Sequence, residues 1–155
     1  MKKFRFKLEK YLEVTRRKKD EAERQFAEAS RLLEESKVQL QVLMQEMQKG
    51  KQDYDELVSA GKRTTVGKLM TFNSFFAWKR NQIARQQQVI VECQADKKIK
   101  LNALLKLMSK LKSIEQLKEK RLQEYKDAIL FEESKQLDEI GIQLHMRRMR
   151  EERKA

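Results

Sequence analysis

Apolar residues recur at alternating steps of three and four through the first third of the chain, which is the spacing of a coiled-coil seam. The seam positions are Leu8, Leu12, Ala22, Phe26, Ala29, Leu33, Leu40, Leu43, Met47, Tyr54 and Leu57. Four other residues interrupt the same stripe: Thr15, Lys19, Ser36 and Gly50. The pattern predicts a helix over residues 4–59. The interruptions predict modest stability, because each gives up part of the ~1.5–3 kcal/mol that a buried leucine contributes.

A second stretch with helical periodicity covers residues 73–152 and contains no clear helix breaker. Its predicted seam consists of Ile83, Ile90, Leu101, Leu104, Met108, Leu111, Leu122, Tyr125 and Ile129, with Glu115 and Lys118 as polar interruptions. After Ile129 the register slips by one position and resumes as Leu137, Ile140 and Leu144. This helix is predicted to be the longer of the two.

Residues 60–72, between the two stretches, carry the signals of a turn. Gly61 and Gly67 bracket a β-branched run of low helix propensity. A turn here makes the chain an all-α protein, a single elongated antiparallel coiled-coil hairpin over residues 1–155.

The position of the turn sets which residues face each other. A fold-back centred near residue 66 places residue i opposite roughly residue 132 − i, because both helices have the same rise per residue. The last ~20 residues of the second helix then extend past the first, and their apolar stripe is expected to be exposed. In the alternative arrangement, the stripe closes on Phe4, Phe6 and Leu8.

The distribution of charge independently favours the hairpin. Residues 20–59 contain ten acidic and five basic side chains, whereas residues 73–112 contain nine basic and two acidic ones. An antiparallel hairpin sets these opposite charges side by side, whereas a parallel homodimer would stack like charges. The net charge of +12 then resides mainly at the turn and at the chain ends.

Composition excludes an ordinary globular enzyme, because the chain has no proline and 39% charged residues and mean hydropathy is −0.84. The sustained heptads argue against the alternative of a disordered chain. No apolar run approaches the ~18 residues of a membrane span, and the basic start is followed by charge rather than by a signal-peptide core. The protein is therefore expected in the cytosol.

Motifs that carry chemistry are not found in the sequence. The stretch from Gly61 to Lys68 has five residues between its glycines and Leu69 after the lysine, so it does not fit a phosphate-binding loop. His145 has no second histidine or adjacent cysteine with which to share a metal. The single cysteine, Cys93, permits no internal disulfide. We predict no enzymatic activity, no metal and no cofactor.

Both ends of the chain carry runs that resemble a known family. The N-terminal run is Phe4-Arg5-Phe6-Lys7-Leu8-Glu9-Lys10-Tyr11-Leu12, and it looks like the opening of the FliJ family of flagellar export proteins. The C-terminal runs are similar to the family and to its relatives in virulence-type injectisomes: Leu117-Lys118-Glu119-Lys120-Arg121 with Tyr125, then Glu132-Glu133-Ser134-Lys135-Gln136-Leu137-Asp138-Glu139-Ile140. The two signatures flank the whole chain in the expected order.

The resemblance implies a non-enzymatic, central-stalk-like protein of the flagellar export apparatus, at the inner face of the cell membrane. Its partners would be the hexameric export ATPase, the cytoplasmic domain of the membrane export gate and the export chaperones. The residues expected to meet the ATPase ring lie at the open end: Arg5, Lys7, Leu137, Ile140, Leu144, Arg147, Arg148 and Arg150. The protein is expected to be mostly monomeric.

Four aromatic residues follow the turn: Phe72, Phe75, Phe76 and Trp78. They are interpreted either as a cap packed on Val66 and Leu69 or, in part, as a docking patch for the export gate.

Two other functions are compatible with a basic coiled coil. A pI of about 9.8 suits a nucleic-acid-binding protein, although the dispersed charge with acidic partners across the seam argues against it, and no nucleic acid is expected. A scaffolding homodimer is the second alternative, and the mass in solution distinguishes it from a monomeric export protein.

Overall fold

A computed structural model describes residues 3–59, 61 and 63–155 of the chain. It contains two helices, α1 (Glu9–Ser59) and α2 (Val66–Glu152). They pack against each other as a hairpin, and 91% of the structure is helical, with no strand in the part of the chain described. The predicted all-α antiparallel hairpin with a longer second helix is confirmed.

The chain divides into two compact units, which are best described one at a time. The terminal unit contains the described residues up to Arg17 together with Met108–Ala155. The turn unit is Lys18–Leu107. Whether the hairpin acts as one domain stays a prediction.

In the turn unit, the seam of α1 is the one that the heptads predict. Ala29 and Leu33 are 4% exposed, and the polar interruption Ser36 is 8% exposed. The remaining apolar positions from Phe26 to Leu57 are half-buried. The hydroxyl of Ser36 lies 3.7 Å from the sulfur of Cys93 on α2. Gln86 Nε2, also on α2, donates to the Ser36 carbonyl at 2.9 Å. The seam of this unit is therefore partly polar, as expected.

The terminal unit has a small core around Leu12, whose side chain is fully buried. Leu111 and Ile114 pack on it, and Phe6 covers it. The buried Thr15 satisfies its hydroxyl by donating to the carbonyl of Tyr11 at 2.8 Å. This core combines apolar packing with an internally bonded threonine.

The predicted seam of α2 is wrong at Met108 and Glu115. Met108 is 45% exposed, and Glu115 is exposed and accepts a hydrogen bond from Arg16 at 3.2 Å. Ile114 takes the buried position, because it continues the alternating steps of three and four from Leu111 to the half-buried Lys118. Adjacent leucines in this stretch made the register ambiguous from sequence.

The first helix begins at Glu9 rather than at residue 4. The segment before it alternates half-buried Phe4 and Phe6 with exposed Arg5 and Lys7. Residues 3–6 are not helical, and residues 7 and 8 form a turn across which the backbone N–H of Glu9 donates to the carbonyl of Phe6 at 3.2 Å. Packing of the two rings onto α2 therefore replaces the first turn of the predicted helix.

The second helix begins at Val66, seven residues before its predicted start, so the turn is shorter than 60–72. Thr65 caps it: its hydroxyl accepts a hydrogen bond from the backbone N–H of Lys68 at 3.4 Å. Gly61 has φ of 61°, a conformation that suits glycine after a helix end. Ala60 and Lys62, which belong to the predicted turn, lie outside the described residues.

The two helices face each other in a shorter register than expected. The numbers of facing residues add to 131 for Arg16 and Glu115, to 129 for Ser36 and Cys93 and to 125 for Lys79 and Glu46, instead of about 132. The earlier start of α2 accounts for this shift, because it moves the centre of the fold-back from residue 66 to about residue 64.

The acidic part of α1 is neutralised largely within its own helix. Arg31 pairs with Glu35 at 2.7 Å and Lys37 with Glu34 at 3.4 Å. A hydrogen bond to Glu23 raises the pKa of Lys19. In the described part of the turn unit, the ion pair that crosses to α2 is Lys79 with Glu46. In this unit, most acidic residues of α1 that form ion pairs therefore pair within their own helix rather than with α2, unlike the partners across the seam that the sequence led us to expect.

Candidate interaction surfaces

The described residues carry no chemical site of the usual kinds. Among them no group of histidine, cysteine and acidic side chains is arranged to hold a metal ion. None of the helices, over the range that the structure describes, contains a stretch apolar enough and long enough to cross a bilayer. The candidate sites are therefore surfaces, one in each unit.

In the terminal unit, α2 continues well past its last half-buried residue, Ile129, and every residue from 130 to 155 is exposed. We call residues 130–152 the overhang. Leu137 is 68% exposed, and Ile140 and Leu144 are each 53% exposed. The expected exposure of this stripe is confirmed, and the alternative in which it closes on the N-terminal aromatic residues is not adopted.

The overhang presents more apolar surface than the predicted stripe. Leu130, Phe131, Ile142, Met146 and Met149 are 43–72% exposed as well. At 3.6 residues per turn, Leu130 joins the stripe of Leu137, Ile140 and Leu144, whereas the other four side chains form a second apolar strip on the opposite side of the helix. A single heptad seam picks out only the first stripe, so the second strip was not predicted. A helical projection of residues 130–149 would have found it.

The N-terminal residues predicted to join the overhang lie elsewhere on α2. Phe4 stacks obliquely on Tyr125, with ring centroids 5.6 Å apart. Arg5 and Lys7 line a cavity of about 450 Å³ together with Leu117 and Arg121. Arg147 follows 26 residues after Arg121, which is about 40 Å along a helix. The predicted ring-binding residues therefore form two separate groups, and the structure does not bring Arg5 and Lys7 next to the C-terminal arginines.

In the turn unit, the aromatic residues form a cluster across the two helices. Tyr54 of α1 meets Phe72 and Phe76 of α2, with centroids 5.6 and 6.1 Å apart. Phe75 packs edge-on against Phe76 at 5.7 Å. Of the two predicted partners of a cap, Val66 is 72% exposed and Leu69 is half-buried. The ring contacts of Phe72 and Phe76 with α1 are made to Tyr54.

Gly50 makes this packing possible. It is buried, and a Cβ atom there would lie only 2.5 Å from Cε1 of Phe75. The glycine that interrupts the heptads is thus a recess for a ring from the opposite helix, a role that the sequence analysis did not assign.

Trp78 and Lys79 complete the turn unit's surface. Trp78 is 56% exposed, whereas Lys79 is 5% exposed. The ammonium of Lys79 lies 5.0 Å from the Trp78 ring and 5.7 Å from the Phe75 ring, and it pairs with Glu46. Of the four aromatic residues predicted as a docking patch, Phe72, Phe75 and Phe76 are occupied in packing, and Trp78 offers the most exposed ring.

A hairpin of two α-helices with an uncovered apolar extension defines a helical interaction protein. The profile of the flagellar FliJ protein family matches residues 4–150. The chain therefore belongs to the FliJ family. It is a protein related to the flagellar or type III export machinery.

Among solved structures, the chain is similar to CT670 of Chlamydia trachomatis, which is described as a YscO homologue. The TM-score is 0.66 at 21% sequence identity, and the match covers 93% of this chain and 96% of the other. At this identity the likeness supports the fold. No curated protein sequence matches the chain.

Proposed function

We propose that this protein is a non-enzymatic, central-stalk-like component of the flagellar export apparatus, and that its overhang enters the ring of the hexameric export ATPase. The observation that carries the proposal is the exposed apolar stripe of α2 formed by Leu137, Ile140 and Leu144. A helix in water seldom keeps such a face uncovered unless a partner buries it. Family membership supplies the kind of partner.

The charges around this face set the chemistry of the partner. Arg147, Arg148 and Arg150 are exposed beside the apolar stripe. A ring with an apolar sleeve and acidic loops would complement them in packing and in sign. Arg5 and Lys7, about 40 Å back along α2, would meet a second level of the same ring, or a different partner domain.

The other proposed partners are the export gate and the export chaperones, on the cytoplasmic side of the cell membrane. For the gate, Trp78 is the proposed anchor, because it is exposed and held over Lys79. Phe72, Phe75 and Phe76 would act indirectly by shaping the surface around it. A monomer is the proposed ring-binding form.

The decisive experiment replaces Leu137 and Ile140 with serine in the full chain and measures stimulation of the purified ATPase. Stimulation should be lost while the melting temperature stays nearly unchanged, because both side chains are exposed. The matched control is Val91→Ser with Ile99→Ser, which removes two apolar side chains of similar exposure from the turn unit. It should stimulate normally.

The proposal is wrong if the Leu137 and Ile140 double variant stimulates the ATPase as the native chain does. Charge reversal of Arg147 and Arg148 to glutamate gives a second readout. It should slow association with the ring more at low than at high ionic strength, because salt screens exposed charges.

A further inference from the structure

The cavity of the terminal unit lies between the segment that precedes α1 and the helix α2. Its volume of about 450 Å³ falls within the ~300–1,000 Å³ range of ligand sites. We call it the cationic cleft. Its lining has an apolar part and a charged part, which are Phe4, Phe6, Leu8 and Leu117, and Arg5, Lys7 and Arg121. Among the described residues, no carboxylate lines the cleft. The cleft therefore combines apolar walls with charge of a single sign.

Packing on α2 holds the walls of the cleft in place. Phe4 lies against Tyr125, with ring centroids 5.6 Å apart, and Phe6 packs on the small core around Leu12. The residues that alternate with these rings, Arg5 and Lys7, are exposed. The aliphatic part of the wall is also open to solvent, since Leu8 and Leu117 are 41% and 37% exposed. A ligand can therefore reach both kinds of lining without unfolding the segment.

The cations of the cleft are incompletely neutralised. Arg5 and Lys7 form no ion pair with another residue that the structure describes. Arg121 donates from one Nη atom to Glu124 at 3.0 Å. A guanidinium has five N–H donors, so most of those of Arg121 stay available. Because a cleft lined by one sign of charge concentrates counter-charges, this one favours an anion.

A neighbouring cavity on the other part of the same segment shows the contrast. Its volume is about 950 Å³, and Glu9 and Glu13 line it together with basic side chains. Lys118, which also lines it, pairs with Glu9 at 2.8 Å. Charge in that cavity is partly balanced from within. The smaller, cationic cleft is therefore the better anion site of the two.

We propose that the cationic cleft binds a short acidic segment of a partner protein, in which a glutamate or aspartate stands beside a leucine or another aliphatic residue. Arg5 and Arg121 would hold the carboxylate, because a guanidinium can donate two parallel hydrogen bonds to it. The aliphatic side chain would lie between Leu8 and Leu117. Phosphate groups gain nothing from these apolar walls, so the lining favours a peptide over a nucleic acid.

The cleft is a second attachment point, separate from the apolar stripe of the overhang. The identity of the protein that carries the acidic segment rests on the proposed function. The cleft and the chemistry of its ligand concern this chain alone. Glu124 competes with the ligand for Arg121, so it lowers the affinity of the cleft.

The test is fluorescence anisotropy of the full chain with a short labelled peptide in which glutamate and leucine alternate. Two reference peptides separate the contributions of charge and of apolar contact. One alternates glutamate with serine, and the other alternates lysine with leucine. The native chain should bind the glutamate–leucine peptide at least about tenfold more tightly than either reference peptide, because only this peptide satisfies both parts of the lining.

Arg5→Glu combined with Arg121→Glu should weaken binding of this peptide at least about tenfold and shift the preference to the lysine–leucine peptide. The matched control is Lys120→Glu combined with Lys126→Glu. It makes the same change in net charge at exposed cations of the terminal unit that do not line the cleft, and it should bind within about threefold of the native chain. Glu124→Gln should instead tighten binding about two- to fivefold, because it frees the guanidinium of Arg121.

Three results would overturn the proposal. They are equal binding of the glutamate–serine and glutamate–leucine peptides, an equal loss of affinity in the control and in the cleft variant, and tighter binding of a single-stranded oligonucleotide through the same two arginines. Circular dichroism of each variant checks that the hairpin is retained, and the gain expected for Glu124→Gln does not depend on a destabilising change. Stimulation of the ATPase by the overhang variants is measured separately, so failure of the ring proposal and failure of the peptide site give different results.

Discussion

The aromatic cluster of the turn unit and the overhang of the terminal unit are both dense in large apolar residues, yet the structure treats them differently. Phe72 and Phe76 meet Tyr54 across the hairpin, whereas Leu137, Ile140 and Leu144 in the overhang are 53–68% exposed. The difference lies in the opposite helix. Where α1 runs alongside, apolar side chains become core, and where it is missing, they stay exposed.

The comparison also shows what a packed cluster needs besides apolar residues. In this register, a side chain at position 50 of α1 would clash with the ring of Phe75. Gly50 avoids the clash because it has no side chain and leaves a recess for the ring. In the overhang, a Cβ atom added at Gly141 would meet no neighbouring side chain of the described residues within 4 Å. One glycine therefore serves packing inside the hairpin, and the other faces open space.

The largest expected effect separates the two regions directly. Replacing Phe75 and Phe76 with serine should destabilise the hairpin by about 3 kcal/mol or more, because both rings are half-buried in the cluster. The serine variants of Leu137 and Ile140 should cost less than about 1 kcal/mol. Chemical denaturation followed by circular dichroism measures both. Equal losses for the two pairs would contradict the distinction between cluster and overhang.

If the Phe75 and Phe76 variant instead kept its stability and lost binding to the export gate, the cluster would be a docking patch rather than packing. Trp78→Ala sharpens this result. It should leave the free energy of unfolding within about 1 kcal/mol, since the side chain is 56% exposed, while weakening gate binding.

Replacing each of the two glycines with alanine should change the free energy of unfolding by a smaller amount, and in opposite directions. Gly141→Ala should stabilise the chain by about 0.5–1 kcal/mol, because alanine has the higher helix propensity and the site is open. Gly50→Ala has the same gain in propensity but forces Phe75 to move, so it should destabilise by about 1 kcal/mol net. Stabilisation by Gly50→Ala in thermal denaturation would show that the ring relocates freely.

The smallest effect concerns the start of α2. Thr65→Ala removes the side chain that caps this helix and should cost about 0.5–1 kcal/mol. Thr71→Ala is the control, because Thr71 lies within the helix and its hydroxyl donates to the carbonyl of Gly67. Removing this hydroxyl should leave the free energy of unfolding nearly unchanged. If the two variants melted alike, Thr65 would not be a functioning cap.

Sequence periodicity by itself determined the class of fold, the antiparallel hairpin and the α1 seam from Leu12 to Leu57, including its polar interruptions. These features follow from local spacing, because an amphipathic helix must bury one stripe whatever its partner is. The exposure of Leu137, Ile140 and Leu144 also followed from arithmetic, because two helices of unequal length leave an unpaired end.

Tertiary structure alone decided the features that depend on a specific partner side chain. The non-helical course of residues 4–8 arises because the rings of Phe4 and Phe6 pack on α2, against the helix propensity of the segment. The choice of Ile114 over Glu115 and the fit of Phe75 into Gly50 depend on the register between the helices, which shifts when the turn shortens. Local sequence constrains each helix separately, whereas register is a property of the pair, settled by which side chains pack without clash or buried charge.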